Sequence, residues 1–335
     1  MKASSIKSEL ESYASTVNEF ILASLEGKPK ELYQASSHLI RTGGKRLRPF
    51  MVIKGCEMLG GTVKKALPAA AAVEMVHNFT LVHDDIMDND EMRHGTATVH
   101  RYYGMPLAIL AGDILFSKSF ELITFNGRKA GIPDKDLTNM VALLSRACTE
   151  ICEGQATDIG FASSSKFPKE SDYIKMIGKK TAALFEVSCA LGALAAPGHT
   201  ERDVDNLSSF GRNIGIAFQL VDDLIGVVGD PKLTGKAAGN DIREGKKTYP
   251  ILLALNNSKD RDRDKILKVF GSKTASSTDI KEAVKVISDI GIEQEVRNAA
   301  RKYMNDALKA IEGYGDSDAR RSLQFSADFV VGRSL

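Results

Sequence analysis

Between Leu207 and Ile225, apolar residues recur at Leu207, Phe210, Ile214, Ala217, Phe218, Val221, Leu224 and Ile225. This is the spacing of a helix with one buried stripe, and a strand with alternating faces does not satisfy it. A similar segment runs from about Leu67 to Asp88, where Pro68 suits a first turn and an alanine run follows. Convincing strand alternation is scarce. Breakers cluster at Asn126–Pro133, Ser163–Pro168, Ala196–Thr200, Gly229–Gly245 and Asn257–Ser277, and read as punctuation between helices rather than as interdomain linkers. The pattern predicts an all-α chain, one large helical bundle in which residues 1–335 form a single domain. An apolar fraction of 43% is enough for a sizeable core.

The formal net charge of +2 gives no general attraction to nucleic acid or to an anionic membrane, so anion sites have to be found by position. Cys56, Cys148, Cys152 and Cys189 show no CxxC spacing and have no nearby histidine partner, which reads as buried free thiols in a reducing compartment rather than a zinc site. The N-terminal segment has no apolar region of the signal-peptide kind, and the longest apolar stretches fall short of a membrane span. A soluble cytoplasmic protein is expected.

Two carboxylate clusters stand out. Asp84 and Asp88 are four apart and share a helix face, with Asp85 beside them. Like charges so close repel, and Mg²⁺ offers compensation because it takes carboxylate oxygens and completes its shell with phosphates and water. A solvated acidic helix end accounts equally for this cluster taken alone. Asp222 and Asp223, by contrast, sit in a strongly apolar helix, with Gln219 three residues before Asp222. Unpartnered carboxylates there would be costly, so two apolar helices ending in paired aspartates suggest facing walls of one metal-filled pocket.

Cations complete the pattern. In Gly43-Gly44-Lys45-Arg46-Leu47-Arg48-Pro49, two glycines allow a tight turn, and Lys45 and Arg48 are spaced to converge on one anion. Lys236, Lys246 and Lys247 lie in a glycine-rich segment that reads as a mobile flap or as an ordinary loop. There is no GxxxxGK[ST] loop, no dinucleotide fingerprint and no motif-grade nucleophile. Ionisation of a diphosphate by clustered metals fits this inventory better than nucleotide or covalent chemistry.

The ordered motifs GGKRLRP, DDIMD, GQATD (154–158), KTAALF (180–185), FQLVDD and GDPKLTGK…GKKTYP together resemble the trans-type isoprenyl diphosphate synthases, or polyprenyl synthetases, over most of the chain. The resemblance implies a helical bundle of the isoprenoid synthase type with a central active-site cavity, usually as a homodimer. It further implies an allylic diphosphate held through several Mg²⁺ ions by Asp84, Asp88 and Asp222, with Asp85 and Asp223 in support. Arg93, Lys180 and Lys246 would hold its oxygens, with Lys236 nearby. Gln219 and Thr181 would line the place where positive charge develops. Isopentenyl diphosphate would sit on Lys45, Arg48 and His77. His77, two helical turns before Asp84, also reads as a buried core histidine.

Two positions depart from the family pattern. His94 follows Arg93 where a second arginine is usual and would help bind isopentenyl diphosphate, so that contact is expected to be weaker or pH-sensitive. Gly226 stands where the second motif usually carries a further acid, leaving that half one carboxylate short. Product length should be set one turn before Asp84, by Phe79 and Thr80. An aromatic only at the fifth position upstream resembles archaeal-type geranylgeranyl diphosphate synthases, which implies mainly a twenty-carbon product, with fifteen carbons as the nearest alternative. Plain core packing also accounts for Phe79. The rivals are a terpene cyclase, which needs no second diphosphate site, and a non-catalytic subunit of a heteromeric synthase, which His94 and Gly226 keep open. A nucleic-acid-binding module has no motif to support it.

Overall fold

Helical spacing is realised along nearly the whole chain. The computed structural model describes residues 3–229, 239–272 and 274–332. The helices are α1 (Ala3–Ser24), α2 (Lys30–Arg41), α3 (Leu47–Met58), α4 (Val63–Met87), α5 (Val99–Tyr103) and α6 (Met105–Glu121). A π-helical turn over Leu122–Asn126 leads into α7 (Gly127–Lys129), then α8 (Asp134–Ser163) and α9 (Glu170–Ile177). A second π-helical turn, Gly178–Ala182, joins α9 to α10 (Ala183–Ala195), and α11 (Glu201–Val228) follows. The remainder is α12 (Asn240–Glu244), α13 (Tyr249–Asn257), α14 (Asp260–Val269), α15 (Ser277–Asp289), α16 (Ile292–Ala310) and α17 (Asp318–Val331). Among the described residues the only strands are β1 (Met92–Arg93) and β2 (Thr96–Ala97), an antiparallel pair with Met92 opposite Ala97.

The packing groups the chain into two compact units: Met1–Cys148 with Leu184–Gly211 and Gly313–Phe325, and Thr149–Ala183 with Arg212–Glu312 and Ser326–Leu335. In the first unit α4 is enclosed on nearly all sides, with Ala69, Ala70, Ala71, Ala72, Val73, Met75 and Val76 at most 1% exposed. The alanines keep this helix thin, so that α3 and α6 pack closely against it. Val73, Met75 and Val76 each contribute about 1.5–3 kcal/mol by leaving water. The helix begins at Val63, earlier than its apolar pattern suggested, so Pro68 lies in the second turn rather than the first. The i−4 residue whose carbonyl loses its helical partner is Lys64, which is exposed to water. A side chain on Gly192 of α10 would come within 2.5 Å of the Val52 carbonyl oxygen, so α10 and α3 meet backbone to backbone.

In the second unit the buried stripe of α11 comprises Ile214, Ala217, Leu220, Val221, Leu224 and Val227. Ile251, Ile266, Ile287 and Val296 of the same unit are buried as well. Two segments expected to be loops carry helices. The charged run from Asp260 forms α14 because Ile266 and Val269 supply a buried edge, and α12 lies inside the glycine-rich segment. Cys56, Cys148 and Cys189 are buried free thiols as expected, whereas Cys152 is exposed.

Candidate active site

The double glycine makes the expected turn. Gly43 and Gly44 have φ of 93° and 142°, and Arg46 follows at 50° before α3 starts. The three cations of this segment then part company. Arg46 is buried and fully engaged: Nε donates to Asn18 Oδ1 at 2.8 Å, Nη1 to Glu74 Oε1 at 2.8 Å and Nη2 to the Ile40 carbonyl at 2.9 Å. It holds the loop rather than facing a ligand. Lys45 is exposed. Arg48 lies over the Phe185 ring, 4.2 Å from its centroid, and Nη1 donates to His77 Nε2 at 3.4 Å. Burial lowers Arg48 to about 10, so it remains a cation at neutral pH. Burial, then Arg48, Arg46, Arg93 and His94, hold His77 well below the ordinary histidine value, so its ring is neutral. The structure thus brings Arg48 and His77 together.

Asp84, Asp85 and Asp88 close α4, and their environments differ. Asp88 is exposed and Asp84 half-buried, whereas Asp85 is fully buried. Asp85 Oδ1 accepts from Arg93 Nε at 2.5 Å, and Oδ2 is enclosed without a hydrogen-bond partner among the described residues. Burial raises the Asp85 carboxyl above its usual range, and Arg93 opposes the rise. Arg93 is aimed by the hairpin that follows the helix. His94 and Gly95 are its two turn residues, with φ of 50° and 78°, as a two-residue type I′ turn requires. Histidine is among the side chains enriched in this left-handed region, which gives the His94 departure a backbone reason. Burial and the charges of Arg93 and Arg46 lower the His94 ring.

The second unit carries the other motif. Asp222 is exposed, while Asp223 is buried. Asp223 Oδ2 accepts from the Tyr173 hydroxyl at 2.7 Å, and Oδ1 from Gln219 Nε2 at 2.8 Å. Gln219 Oε1 in turn accepts from the Thr181 hydroxyl at 2.7 Å. Burial pushes both Asp223 and Tyr173 well above their ordinary values. Lys180 and Thr181 project from the π-helical turn of residues 178–182, a deformation often found at functional positions. The GQATD motif builds that turn's surroundings. A side chain on Gly154 would meet the Lys180 backbone nitrogen at 2.3 Å, and Asp158 Oδ2 accepts from Lys180 Nζ at 2.5 Å.

Gly226 is not an empty place. A Cβ there would lie 2.2 Å from Asp241 Oδ2, so a carboxylate from α12 occupies the space where the helix lacks one. Lys246 Nζ pairs with Glu244 at 2.7 Å on an exposed surface, where such a pair is weak and readily exchanged for another anion. Lys247 instead caps backbone, donating to the carbonyls of Phe161, Ser164 and Lys166 near the end of α8. Lys236 lies outside the described residues. Sequence reasoning missed Glu74, Tyr173, Asp158 and Asp241. Only Asp158 sat in a recognised motif, since partnership across helices has no local signal.

Phe79 is not a lone plug. Its ring lies 4.8 Å from His83 and 5.2 Å from Phe116, and Phe116 lies 5.1 Å from Phe120. The Thr80 hydroxyl turns back to the His77 carbonyl at 2.8 Å.

Among the described residues no three carboxylate, imidazole or thiolate groups form a cage for a cation. This donor set suits Mg²⁺, which typically binds through one or two carboxylates together with substrate phosphates and water. Asp88 and Asp222 are exposed, and Asp84 is half-buried. No helix among the described residues is long and apolar enough to cross a membrane.

A helical architecture that carries two aspartate motifs, with the cations Arg48 and Lys180 on separate elements of the fold, places the chain among the helical isoprenoid synthases. Residues 29–287 match the family model described as "Polyprenyl synthetase". The chain is 41% identical to a geranylgeranyl diphosphate synthase of Sulfolobus acidocaldarius, covering 95% of this chain and 96% of the relative. Short chain isoprenyl and geranylfarnesyl diphosphate synthases are also among its relatives. Its fold matches the crystal structure of geranylgeranyl pyrophosphate synthetase from Pyrococcus horikoshii with a TM-score of 0.92 at 38% identity, covering all of both chains. A polyprenyl synthase from Caulobacter crescentus, complexed with calcium and isoprenyl diphosphate, matches with a TM-score of 0.86 at 31% identity over 98% of this chain and 97% of that one. The chain belongs to the polyprenyl synthetase family of trans-prenyltransferases.

Proposed function

We propose that this protein condenses isopentenyl diphosphate with allylic diphosphates and makes mainly the twenty-carbon product. The observation that carries the reading is the pairing of Thr181 with Gln219, next to Lys180 and directly linked to the second aspartate motif. In this account Arg48 and His77, with Lys45, bind isopentenyl diphosphate. Lys180 and Arg93 hold oxygens of the allylic diphosphate, with Lys246 recruited from its exposed pair and Lys236 nearby. His94, held neutral, would add a hydrogen bond rather than a charge.

Asp84, Asp88 and Asp222 are the proposed Mg²⁺ ligands, with Asp85 and Asp223 orienting them and Asp241 supplying the acid absent at Gly226. Bound Mg²⁺ would neutralise the leaving diphosphate. The allylic C–O bond then breaks, the oxygens of Thr181 and Gln219 face the developing cation, and the double bond of isopentenyl diphosphate attacks it. Loss of one proton, to the departed diphosphate, restores a double bond and completes the five-carbon addition. Preorganised dipoles at a developing charge are the largest usual source of rate.

The aromatic group Phe79, Phe116 and Phe120 supports a floor for the growing chain, with Thr80 leaving room beside it. Exposed apolar residues on α5 and α6, including Tyr102, Met105 and Ile109, support a homodimer. The free thiols support a cytoplasmic setting.

Mass analysis of products from the purified protein with Mg²⁺, labelled isopentenyl diphosphate and each allylic starter tests the reading. The expected result is extension ending mainly at twenty carbons. Inactivity rescued only by a partner subunit, or hydrocarbon formed without isopentenyl diphosphate, would overturn it. Phe79→Ala should lengthen the product, and an unchanged length would remove the floor assignment.

A further inference from the structure

The hydrogen bonds around Asp223 have a definite direction. Both carboxylate oxygens accept: the Tyr173 hydroxyl donates to Oδ2 at 2.7 Å and the Gln219 Nε2 amide donates to Oδ1 at 2.8 Å. The amide oxygen of Gln219 is thereby forced to the opposite side, where it accepts from Thr181. Asp223 is only 4% exposed and Tyr173 likewise 4%, so water does not substitute for either partner. Both oxygens of Asp223 are committed to protein donors, unlike a carboxylate left open for a cation. Tyr173 is the far end of this relay: its hydroxyl bonds to Asp223, and Asp223 passes that constraint on to Gln219.

We propose that Tyr173 is a positioning residue for prenyl transfer: through Asp223 it fixes the Gln219 amide so that its oxygen, not its NH₂, faces Thr181 and the developing allylic cation. The inference rests on the prenyl-transfer reading and adds a residue to it. A flipped amide would present a positive dipole to a carbocation, raising the barrier where the site should lower it. Tyr173 itself touches no substrate in this account. Its contribution is to keep Asp223 in one rotamer, with its acceptor directions fixed.

The test uses the full-length enzyme and three variants. Tyr173→Phe should lower kcat about tenfold, the worth of one lost hydrogen bond, with both KM values within about twofold of the wild type. Asp223→Asn turns the facing oxygen into a donor, flips Gln219 and should lower kcat by about a hundredfold or more. The double variant Asp223→Asn/Gln219→Glu restores the order. The oxygen of the introduced asparagine still accepts from Tyr173, and its amide donates to one oxygen of the introduced glutamate. The other glutamate oxygen accepts from Thr181. The double variant should regain at least about tenfold of the loss. Because both replacements are nearly isosteric, this arm stands even if Tyr173→Phe folds poorly. Wild-type kinetics in a folded Tyr173→Phe, or a double variant no better than Asp223→Asn, would overturn the proposal. Failure of the wild type itself to extend a prenyl chain would instead overturn the underlying functional reading.

Discussion

The two aspartate motifs look alike in sequence and are built differently. At the end of α4, the buried Asp85 is answered by a cation, Arg93, delivered by a two-residue hairpin. In α11 the buried Asp223 is answered by neutral donors, Tyr173 and Gln219. In each pair the second aspartate is buried while the first is more accessible. Adjacent helix positions point about 100° apart, so a pair of aspartates at a helix surface cannot both face the same way. One carboxylate faces outward and the other is buried among hydrogen-bond donors. The chemistry of the scaffold partner then decides what each motif can tolerate.

The comparison breaks most visibly at the accessible members. Asp84→Ala and Asp222→Ala should each lower kcat/KM by about 10²–10³-fold, the usual worth of a group acting on transition-state charge. Steady-state assays across a Mg²⁺ series check this. A large loss for Asp84→Ala alone would show that the second motif does not share the metal site.

The scaffolding partners should differ in stability. Arg93→Ala strands the buried Asp85 carboxylate and should cost about 2–4 kcal/mol in denaturant unfolding, because the remaining charge loses its partner. Tyr173→Phe removes a neutral donor and should cost only about 1–2 kcal/mol. Equal losses would contradict the distinction between a charged and a neutral scaffold.

A finer test concerns the acid missing from α11. Asp241→Asn should weaken Mg²⁺ binding in the presence of a non-reactive diphosphate by about tenfold, read by calorimetry. Gly226→Asp alone should clash with Asp241, while Gly226→Asp combined with Asp241→Gly should recover affinity. No recovery would mean that the carboxylate acts only from α12.

The smallest effect is on pH dependence. His77 is depressed in the folded state by burial and by the cations around it. The unfolded chain therefore takes up the proton first. This contribution to stability is whole above the unfolded value of about 6.5 and is lost as pH falls from there toward the folded value, at up to about 1.4 kcal/mol per pH unit. His77→Gln should flatten the profile between about pH 6.5 and 5.5 in denaturant titrations. An unchanged slope would assign the effect elsewhere, with His94 the next group to replace.

Much of this protein was determined by local sequence. The apolar stripe from Leu207 to Ile225 specifies a helix because its period matches one buried face, whatever that face packs against. Gly43 and Gly44 specify a turn because few other residues adopt their backbone angles. The aspartate motifs and Gln219 stand out in the sequence itself, whereas Lys180 and Thr181 are singled out only by the family resemblance. What each charge does was decided by tertiary structure. Arg46 and Arg48 are two residues apart and of one type, yet Glu74, Asn18 and Ile40 make the first a strut while His77 and Phe185 surround the second. Gly226 read as a missing carboxylate until α12 placed Asp241 against it. A hydrogen bond or ion pair depends on distances of about 3 Å between groups far apart in the chain. No local period encodes such a distance, so the division of each aspartate pair into an accessible and a buried carboxylate appears only once the helices have packed.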